Sequence, residues 1–451
     1  MNFKLALVAV AAVGVASTAQ AADLAKKAPA AANYVKVCDA FGAGFFYIPG
    51  SDTCLKISGF VYAEARGGTG KLGRYDTTNS AFGNRTRSGN DLYSRTRAEI
   101  QFDARTATEM GLLRSYIALR HQTNTGDTSG TLMAAGAFVQ FAGVTAGYAR
   151  SNFDFAPAGY SYGTDYSTNA YSYTFLNQLA YTFSFGNGVS ATLALEDPSS
   201  TDLNFSGASH RFVGNSGSSV AWVKYDSTKT NPFTGAAYAA PYAGVRAPDV
   251  VANLAVAQAW GKAQLSVAYH DVYSTVDDTA AWAISGGVEV NLPMLAAGDK
   301  AYLVGTYSSG AVAFATQLQN ATGKIQEVFF NAFGSGIGQD FVIVNGKNKL
   351  TNTWAVNGGL HHEFSPQWEL NVDAGYVKVD GYQWRDEEFV GAGVDLRWKP
   401  VKGFQIGADV EYGKLTFSNN TVNAIKGVAA ASTLKSSYDG WLGEIRVRRD
   451  F

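Results

Sequence analysis

The stretch FQIGADVEYGKL, residues 404–415, poses the question that decides the fold. Phe404, Ile406, Ala408, Val410 and Tyr412 fall on one parity, and Gln405, Gly407, Asp409, Glu411 and Gly413 on the other. Successive side chains of an extended chain point to opposite faces, so this predicts a β-strand with one apolar and one acidic face. In a soluble sandwich the apolar face would be the core. In a membrane barrel it would meet lipid, and the acids would line a lumen. The rest of the chain chooses between the two.

The N-terminus sets the compartment. MNFKLALVAVAAVGVASTAQA carries one Lys, a short apolar run and the small-residue triplet Ala19-Gln20-Ala21, the pattern of a cleaved export signal over residues 1–21. Beyond it no apolar run reaches the ~18 residues of a membrane helix. The formal net charge is −1, which points to no nucleic-acid partner. Hydrophobic residues make up 46%, and 49 Gly, 24 Tyr and 27 Phe stand against 4 Met, a composition that reads as all-β with many turns. Cys38 and Cys54 are the only cysteines of an exported chain, so a disulfide between them is expected. Residues 22–54 then form a periplasmic lead-in containing that loop, and 55–451 form the main domain.

Sixteen alternating segments can be traced: 55–66, 90–104, 111–122, 131–141, 144–151, 171–185, 189–198, 248–260, 262–274, 280–292, 300–309, 352–364, 367–380, 387–398, 403–416 and 437–451. Their connections alternate long and short, from the stretch before residue 90 and RTATEM to the inserts 199–247 and 310–351 and the turn SPQ. A sandwich has no reason to collect its long loops at one end. An outer-membrane barrel has short periplasmic turns and long outer loops, and an even strand count leaves both termini on the periplasmic side. On 367–380, Trp368 and Tyr376 share the apolar parity eight residues apart, as do Phe404 and Tyr412 on 403–416. At ~3.3 Å per residue and a tilt of ~40°, that spans roughly 20 Å along the membrane normal, near the ~25 Å between aromatic girdles. The expected fold is an all-β, 16-stranded antiparallel transmembrane barrel, with its apolar face in lipid and its acids in the lumen.

Four features resemble the alphaproteobacterial general porins. They are YVKVCDAFGAGFFYIPGSDTCLKISGFVYAEAR at 34–66, QLAYTFSFGNGVSATLALEDP at 178–198, the hairpin VVANLAVAQAWGKAQLSVAYHD at 250–271, and the terminal Phe451. The resemblance implies a trimeric diffusion channel for small hydrophilic solutes, with no cofactor, set among outer-membrane lipid and lipopolysaccharide. It implies that the third outer loop bends into the lumen, and that Phe451 serves as the outer-membrane assembly signal.

That loop, SNFDFAPAGYSYGTDYSTNA at 151–170, carries Asp154 and Asp165 and no Lys or Arg, so it is expected to make an acidic constriction. Strand parity places Lys56, Arg66, Arg95, Arg97, Arg114, Arg120, Arg446 and Arg448 on a basic lumen wall. First and last strands are neighbours when the barrel closes, so these cations gather on one arc. Glu369, Asp373, Asp395, Asp409 and Glu411 form a more acidic arc. Such an arrangement sets a transverse field that passes water and dipolar solutes and resists apolar ones. The competing expectation is that each Arg is neutralised by a neighbouring carboxylate, with Arg97 pairing to Glu99 or to its cross-strand neighbour.

Other motifs carry less. Gly67-Gly68-Thr69-Gly70-Lys71 lacks the residues and the helix of a phosphate loop, and GSGIG at 334–338 lacks a strand–helix context. His361 and His362 are adjacent on a strand, so their rings diverge. No HExxH, GxSxG or CxxC pair supports catalysis. Two alternatives to passive diffusion stand beside it. One is a sugar-type specific channel using inward Phe60, Tyr62, Tyr93 and Tyr116; the other is an adhesive or structural barrel using the 199–247 and 310–351 loops.

Overall fold

The computed structural model describes residues 36–70, 92–126, 129–156, 159–162, 174–198, 245–274, 277–315, 340–344, 346–381, 385–419 and 436–451. The expected leader 1–21, Asp165 and most of the two long inserts lie outside the described residues.

The barrel strands are β1 (Cys54–Gly70), β2 (Leu92–Thr108), β3 (Gly111–Asn124), β4 (Thr131–Phe141), β5 (Val144–Arg150), β6 (Phe175–Gly186), β7 (Val189–Glu196) and β8 (Asp249–Gln258). They continue as β9 (Gly261–Tyr273), β10 (Asp278–Asn291), β11 (Lys300–Ser309), β12 (Asn352–Ser365), β13 (Trp368–Gly381), β14 (Arg385–Val401), β15 (Phe404–Phe417) and β16 (Ser437–Asp450). Each pairs antiparallel with the next, and β16 closes on β1 with Glu444 opposite Arg66 and Arg446 opposite Glu64. Closure leaves no unpaired sheet edge, the condition for carrying a backbone through hydrocarbon. The terminal Phe451 completes the seam: its N–H and C=O both bond to Gly59, at 3.0 Å each.

Every expected segment corresponds to one strand. β1 and β2 run further than apolar alternation suggests, to Gly70 and Thr108, because ladder pairing with β16 and β3 continues where alternation stops. The connections correct one expectation. The long ones do share one end, but 125–130, 274–277 and 382–384 at that end are as short as turns. An unforeseen hairpin, Phe341–Val344 with Lys347–Leu350, lies in the 310–351 insert. At the other end the β4–β5 and β6–β7 links are two-residue turns, Ala142-Gly143 and Asn187-Gly188, all four residues at positive φ. That geometry matches the right-handed twist of the flanking strands.

The opening question is settled by exposure. Val410 is 53% exposed on the outside, while Asp409 and Glu411 are 2% and 0% exposed inside. Leu254, Leu303 and Ile445 are similarly exposed around the barrel, whereas Asp373 and Asp395 are fully buried. This is the inverse of a soluble protein. Two outward aromatic bands frame the apolar belt. Trp368 stacks on Trp398 towards the short-turn end, and Trp354 meets Tyr376 and Tyr412 meets Trp441 towards the long-loop end.

The Cys38–Cys54 disulfide forms, with Cα atoms 6.0 Å apart. Phe46–Tyr47 adds a short strand onto the start of β1, so the loop folds back at the short-turn mouth. Buried Phe45 lies there, 4.9 Å from the Arg105 guanidinium and 5.9 Å from Lys56 Nζ.

Candidate functional site

The barrel closure builds the basic wall. Register sets Glu64 opposite both Arg446 and Arg95, and Glu444 opposite Arg66. Arg66 Nε lies 3.1 Å from Glu64 and 2.7 Å from Glu444, and Arg446 Nη2 lies 2.8 Å and 2.7 Å from the same pair. Arg95 Nε reaches Glu64 at 3.2 Å. Further along, Arg120 pairs with Glu99 at 2.6 Å, and Arg105 and Arg114 grip Asp103 at 2.8 and 2.9 Å. Arg448 pairs with Asp450 at 2.6 Å, and Lys56 lies at the disulfide loop. Arg97 donates to Gln122, its cross-strand neighbour, not to Glu99. The wall therefore interleaves nine cations with the five carboxylates of Glu64, Glu99, Asp103, Glu444 and Asp450.

The acidic arc has a different occupation. Asp373 accepts from the backbone N–H groups of Tyr160 at 3.0 Å and Ser161 at 2.5 Å, and from the Tyr302 hydroxyl at 2.7 Å. Asp395 accepts from Tyr162 N–H at 2.6 Å, Asn371 Nδ2 at 2.8 Å and Arg397 Nη2 at 2.6 Å. Three successive loop N–H groups are thus held by two buried carboxylates, a strong charge-assisted set. Arg397 also donates to the Tyr160 carbonyl. Glu369 holds Arg397 and Lys399 at 3.0 and 2.7 Å. Asp409 and Glu411 are buried beside them on β15.

The loop after β5 therefore runs inside the barrel. At its base Glu196 accepts from Ser151 Oγ and Asn152 N–H, each at 2.8 Å. Asp154 is also at the base. Its side chain has no exposed surface, and its carboxylate accepts from Thr174 N–H at 2.6 Å with Arg150 Nε 3.7 Å away. It ties the loop's two ends together and does not face the lumen.

Two glycines seat the loop. A Cβ on Gly287 would stand 2.4 Å from the Phe155 ring, and one on Gly407 would stand 2.2 Å from the Tyr162 ring. Tyr160 crosses to β10 and donates from its hydroxyl to Glu289 at 2.9 Å. Burial, with Glu289 as hydrogen-bond acceptor, pushes the Tyr160 hydroxyl well above its ordinary range, and burial raises that of Tyr162, so both rings are neutral at physiological pH. The Tyr162 ring lies between Arg397, 3.9 Å from its centroid, and Arg446, 4.3 Å away.

A second segment also enters the barrel. Residues 311–315 are buried, and Ala311, Phe314 and Phe341 join Phe153 in an apolar cluster against Ala180, Ala194, Val251, Ala268 and Ala283, with Phe314 meeting Phe153 edge-on at 4.8 Å. Asp340 accepts from Val312 N–H at 2.7 Å and lies 3.8 Å from His270, which bonds Asp249 at 2.6 Å. The lumen beside β6–β10 is therefore packed.

The two adjacent histidines diverge as strand geometry requires. His361 bonds Asn371 at 2.7 Å inside, and His362 bonds Asp299 at 2.6 Å outside. Ligand atoms of His361, Glu363 and Glu369 lie within 4.8 Å of one another, but Lys399 Nζ already stands 2.7 Å from Glu369 and 3.4 Å from Glu363. The ammonium is the cation of that cluster. Sequence parity named the inward-facing charged residues above but not Tyr160, Tyr162, Glu289, Arg397 or the 311–315 segment. The apolar run AVAFA at 311–315 was the local signal that pointed to the last.

Known proteins agree with this architecture. The chain is 27% identical to porin Omp2b of Brucella abortus (strain 2308) over 468 residues, with both chains fully covered. It is 29% identical to porin Omp2b of Brucella suis over 467 residues, again with full coverage of both. Among solved structures, the outer membrane channel DcaP of Acinetobacter baumannii shares the fold, with a TM-score of 0.64 at 14% identity, covering 90% of this chain and 99% of that one. The sequence profile of the porin subfamily matches residues 23–440, so the chain belongs to that family and is an outer-membrane β-barrel channel.

Proposed function

We propose that the open path passes small hydrophilic solutes and ions passively, with weak selectivity, between the docked loop and the basic wall. The observation that supports this reading is the seating of Tyr160–Tyr162 on Asp373 and Asp395, which carries the loop inward onto the wall of β13 and β14. The Arg–carboxylate interleaving supports weak selectivity, because most of the wall's charge is compensated where it arises. Asp165 belongs to the same loop and adds its carboxylate to the constriction. Lys56, Arg66, Arg95, Arg97, Arg114, Arg120, Arg446 and Arg448 form the facing wall, and Glu369, Asp373, Asp395, Asp409 and Glu411 form the wall on which the loop rests.

The channel assembles as a homotrimer after removal of residues 1–21, with lipopolysaccharide around its outer rim. The outward faces of β1–β3 support the oligomer. Beside Ile57, Val61, Ile100, Leu113 and Ile117 they expose Ala63, Ala65, Ser94, Thr96, Ser115 and His121 and carry no Trp or Tyr, whereas outward Trp or Tyr occurs on β6 and β9–β16. Small and polar residues suit contact between barrels better than contact with lipid. Single-channel recording of unheated protein under a salt gradient tests the proposal. Ohmic steps in threes, with a small reversal potential and no block by sugars, are expected. Saturable block by one sugar, or folded protein with no conductance, would overturn passive diffusion.

A further inference from the structure

We infer that Arg97 is a binding point for small oxyanions, phosphate or carboxylate, on the pore wall. Among the described residues every other lumen-facing arginine has a carboxylate within 4.0 Å: Arg66 and Arg446 share Glu64 and Glu444, Arg95 reaches Glu64, Arg105 and Arg114 share Asp103, and Arg120, Arg448, Arg150 and Arg397 have their own partners. An oxyanion would have to displace a buried or half-buried ion pair at each of those. Arg97 offers a guanidinium with no such competitor. Its Nε and Nη2 donate to the single neutral acceptor Gln122 Oε1, the former at 2.8 Å, and the rest of its donor fork is uncommitted.

The fork is also held in place. Gln122 is itself fixed by donating to Asn124 Oδ1 at 2.9 Å, and the Tyr62 ring lies 5.5 Å from the Arg97 guanidinium carbon. Tyr62 in turn packs on Arg446, which packs on Tyr162 of the inward loop. Arg97 therefore stands beside the narrowed section, where a solute must pass close to the wall. Arg95 is two residues away on the same face, and Arg120 is the diagonal neighbour across the ladder. With cations outnumbering carboxylates along this arc, the local field draws anions towards the one uncompensated fork. A guanidinium held by one neutral acceptor and still partly exposed binds loosely enough to release what it captures, as conduction requires.

The inference rests on the open-channel reading, and the test separates the two. Inorganic phosphate is titrated against a constant KCl background in planar-bilayer recordings of the full-length folded protein, and reversal potentials are taken in a KCl gradient. Phosphate should lower the wild-type chloride current in a saturable manner. Arg97→Gln should need about tenfold more phosphate for the same reduction and should shift the reversal potential towards cations. Arg97→Lys should keep the reversal potential near wild type while losing part of the phosphate effect, because a point charge replaces the fork, and it serves as the readout if Arg97→Gln does not fold. Arg449→Gln, on the outside of the barrel, should match wild type. A conducting wild-type channel indifferent to phosphate, or equal phosphate curves for wild type and the Arg97 variants, would overturn the Arg97 site alone. A folded wild type with no conductance would overturn the channel reading with it.

Discussion

Tyr162, from the inward loop, and Arg446, from the last strand, stack face to cation at 4.3 Å, and this contact joins the loop to the seam that closes the barrel. Arg446 also lies 4.5 Å from the centroid of the Tyr62 ring, and Arg397 lies 3.9 Å from that of Tyr162. The alternating column Tyr62–Arg446–Tyr162–Arg397 spans from the basic wall to the acidic one. The inward loop is thus held by stacking as well as by charge.

Replacing Tyr162 by Ala removes both cation–π contacts, each worth about 1–2 kcal/mol at a desolvated site. The loop tip should then sample wider positions, raising mean single-channel conductance and open-channel noise. Tyr162→Phe should behave as wild type, because the Tyr162 hydroxyl has no hydrogen-bond partner among the described residues. Equal conductance in Tyr162→Ala and wild type would show that the loop is held by its backbone bonds alone.

Those backbone bonds provide a second handle. Asp373 and Asp395 accept three successive loop N–H groups, and hydrogen bonds to a charged acceptor contribute about 1.5–3 kcal/mol each. The double variant Asp373→Asn/Asp395→Asn should unseat residues 160–162 while leaving the strand ladder intact. Chymotrypsin added from the outer side should cut after Tyr160 or Tyr162 in the double variant and spare the wild type. Equal resistance would mean that Phe153 and Phe155 anchor the loop without help from the carboxylates.

How much of this was legible in the sequence follows from how far each signal reaches. Alternation is local, so the parity of Arg95, Glu99 and Asp409 could be read directly, and the strand count with it. The seam was legible too, since closure forces the first and last strands together. The direction of Tyr162 was not, because it is set by Asp395, 233 positions away in the chain, and by the absence of a Cβ at Gly407. Asp154 misled for a related reason: an acid in a loop looks solvated until the loop's two ends are known to meet at Thr174. The 311–315 segment was hidden because its apolar partners, from Ala180 to Ala283, are small residues on the inner face of four or more strands.

The seam itself carries a stability prediction. Glu64 sits among Arg66, Arg95 and Arg446, and its side chain has no exposed surface. Glu64→Gln leaves three guanidinium groups with Glu444 as the carboxylate between them, and breaking one partner of a buried ion pair costs about 3–5 kcal/mol. The temperature at which the folded form is lost in heated electrophoresis should fall markedly, and reversal potentials should move towards anions. An unchanged midpoint would mean that β16–β1 backbone pairing carries the seam and the charge cluster adds little.

The disulfide loop gives the last test, at the opposite mouth. Cys38 and Cys54 close a loop with a sequence separation of 16, whose restriction is worth about 3 kcal/mol to the ordered form of that loop. Beyond the short pairing of Phe46–Tyr47 with Cys54–Leu55, its backbone bonds are Cys38 N–H to Phe45 O, Tyr47 N–H to Lys36 O and Ile48 N–H to Thr53 O, each at 2.9 Å, and the turn bonds of Gly42 and Ser51 at 3.3 and 3.1 Å. Cys38→Ser/Cys54→Ser should therefore loosen residues 38–53 while β1 stays paired to β2 and β16 over its length. Chymotrypsin should reach Phe41 and Phe45 in the variant and not in the oxidised wild type, with the barrel's thermal midpoint unchanged. Displacing Phe45 also uncovers Lys56 and Arg105, which lie 5.9 and 4.9 Å from its ring, so the variant should admit anions more readily. A drop in the thermal midpoint equal to that of Glu64→Gln would instead make the loop an integral part of barrel stability.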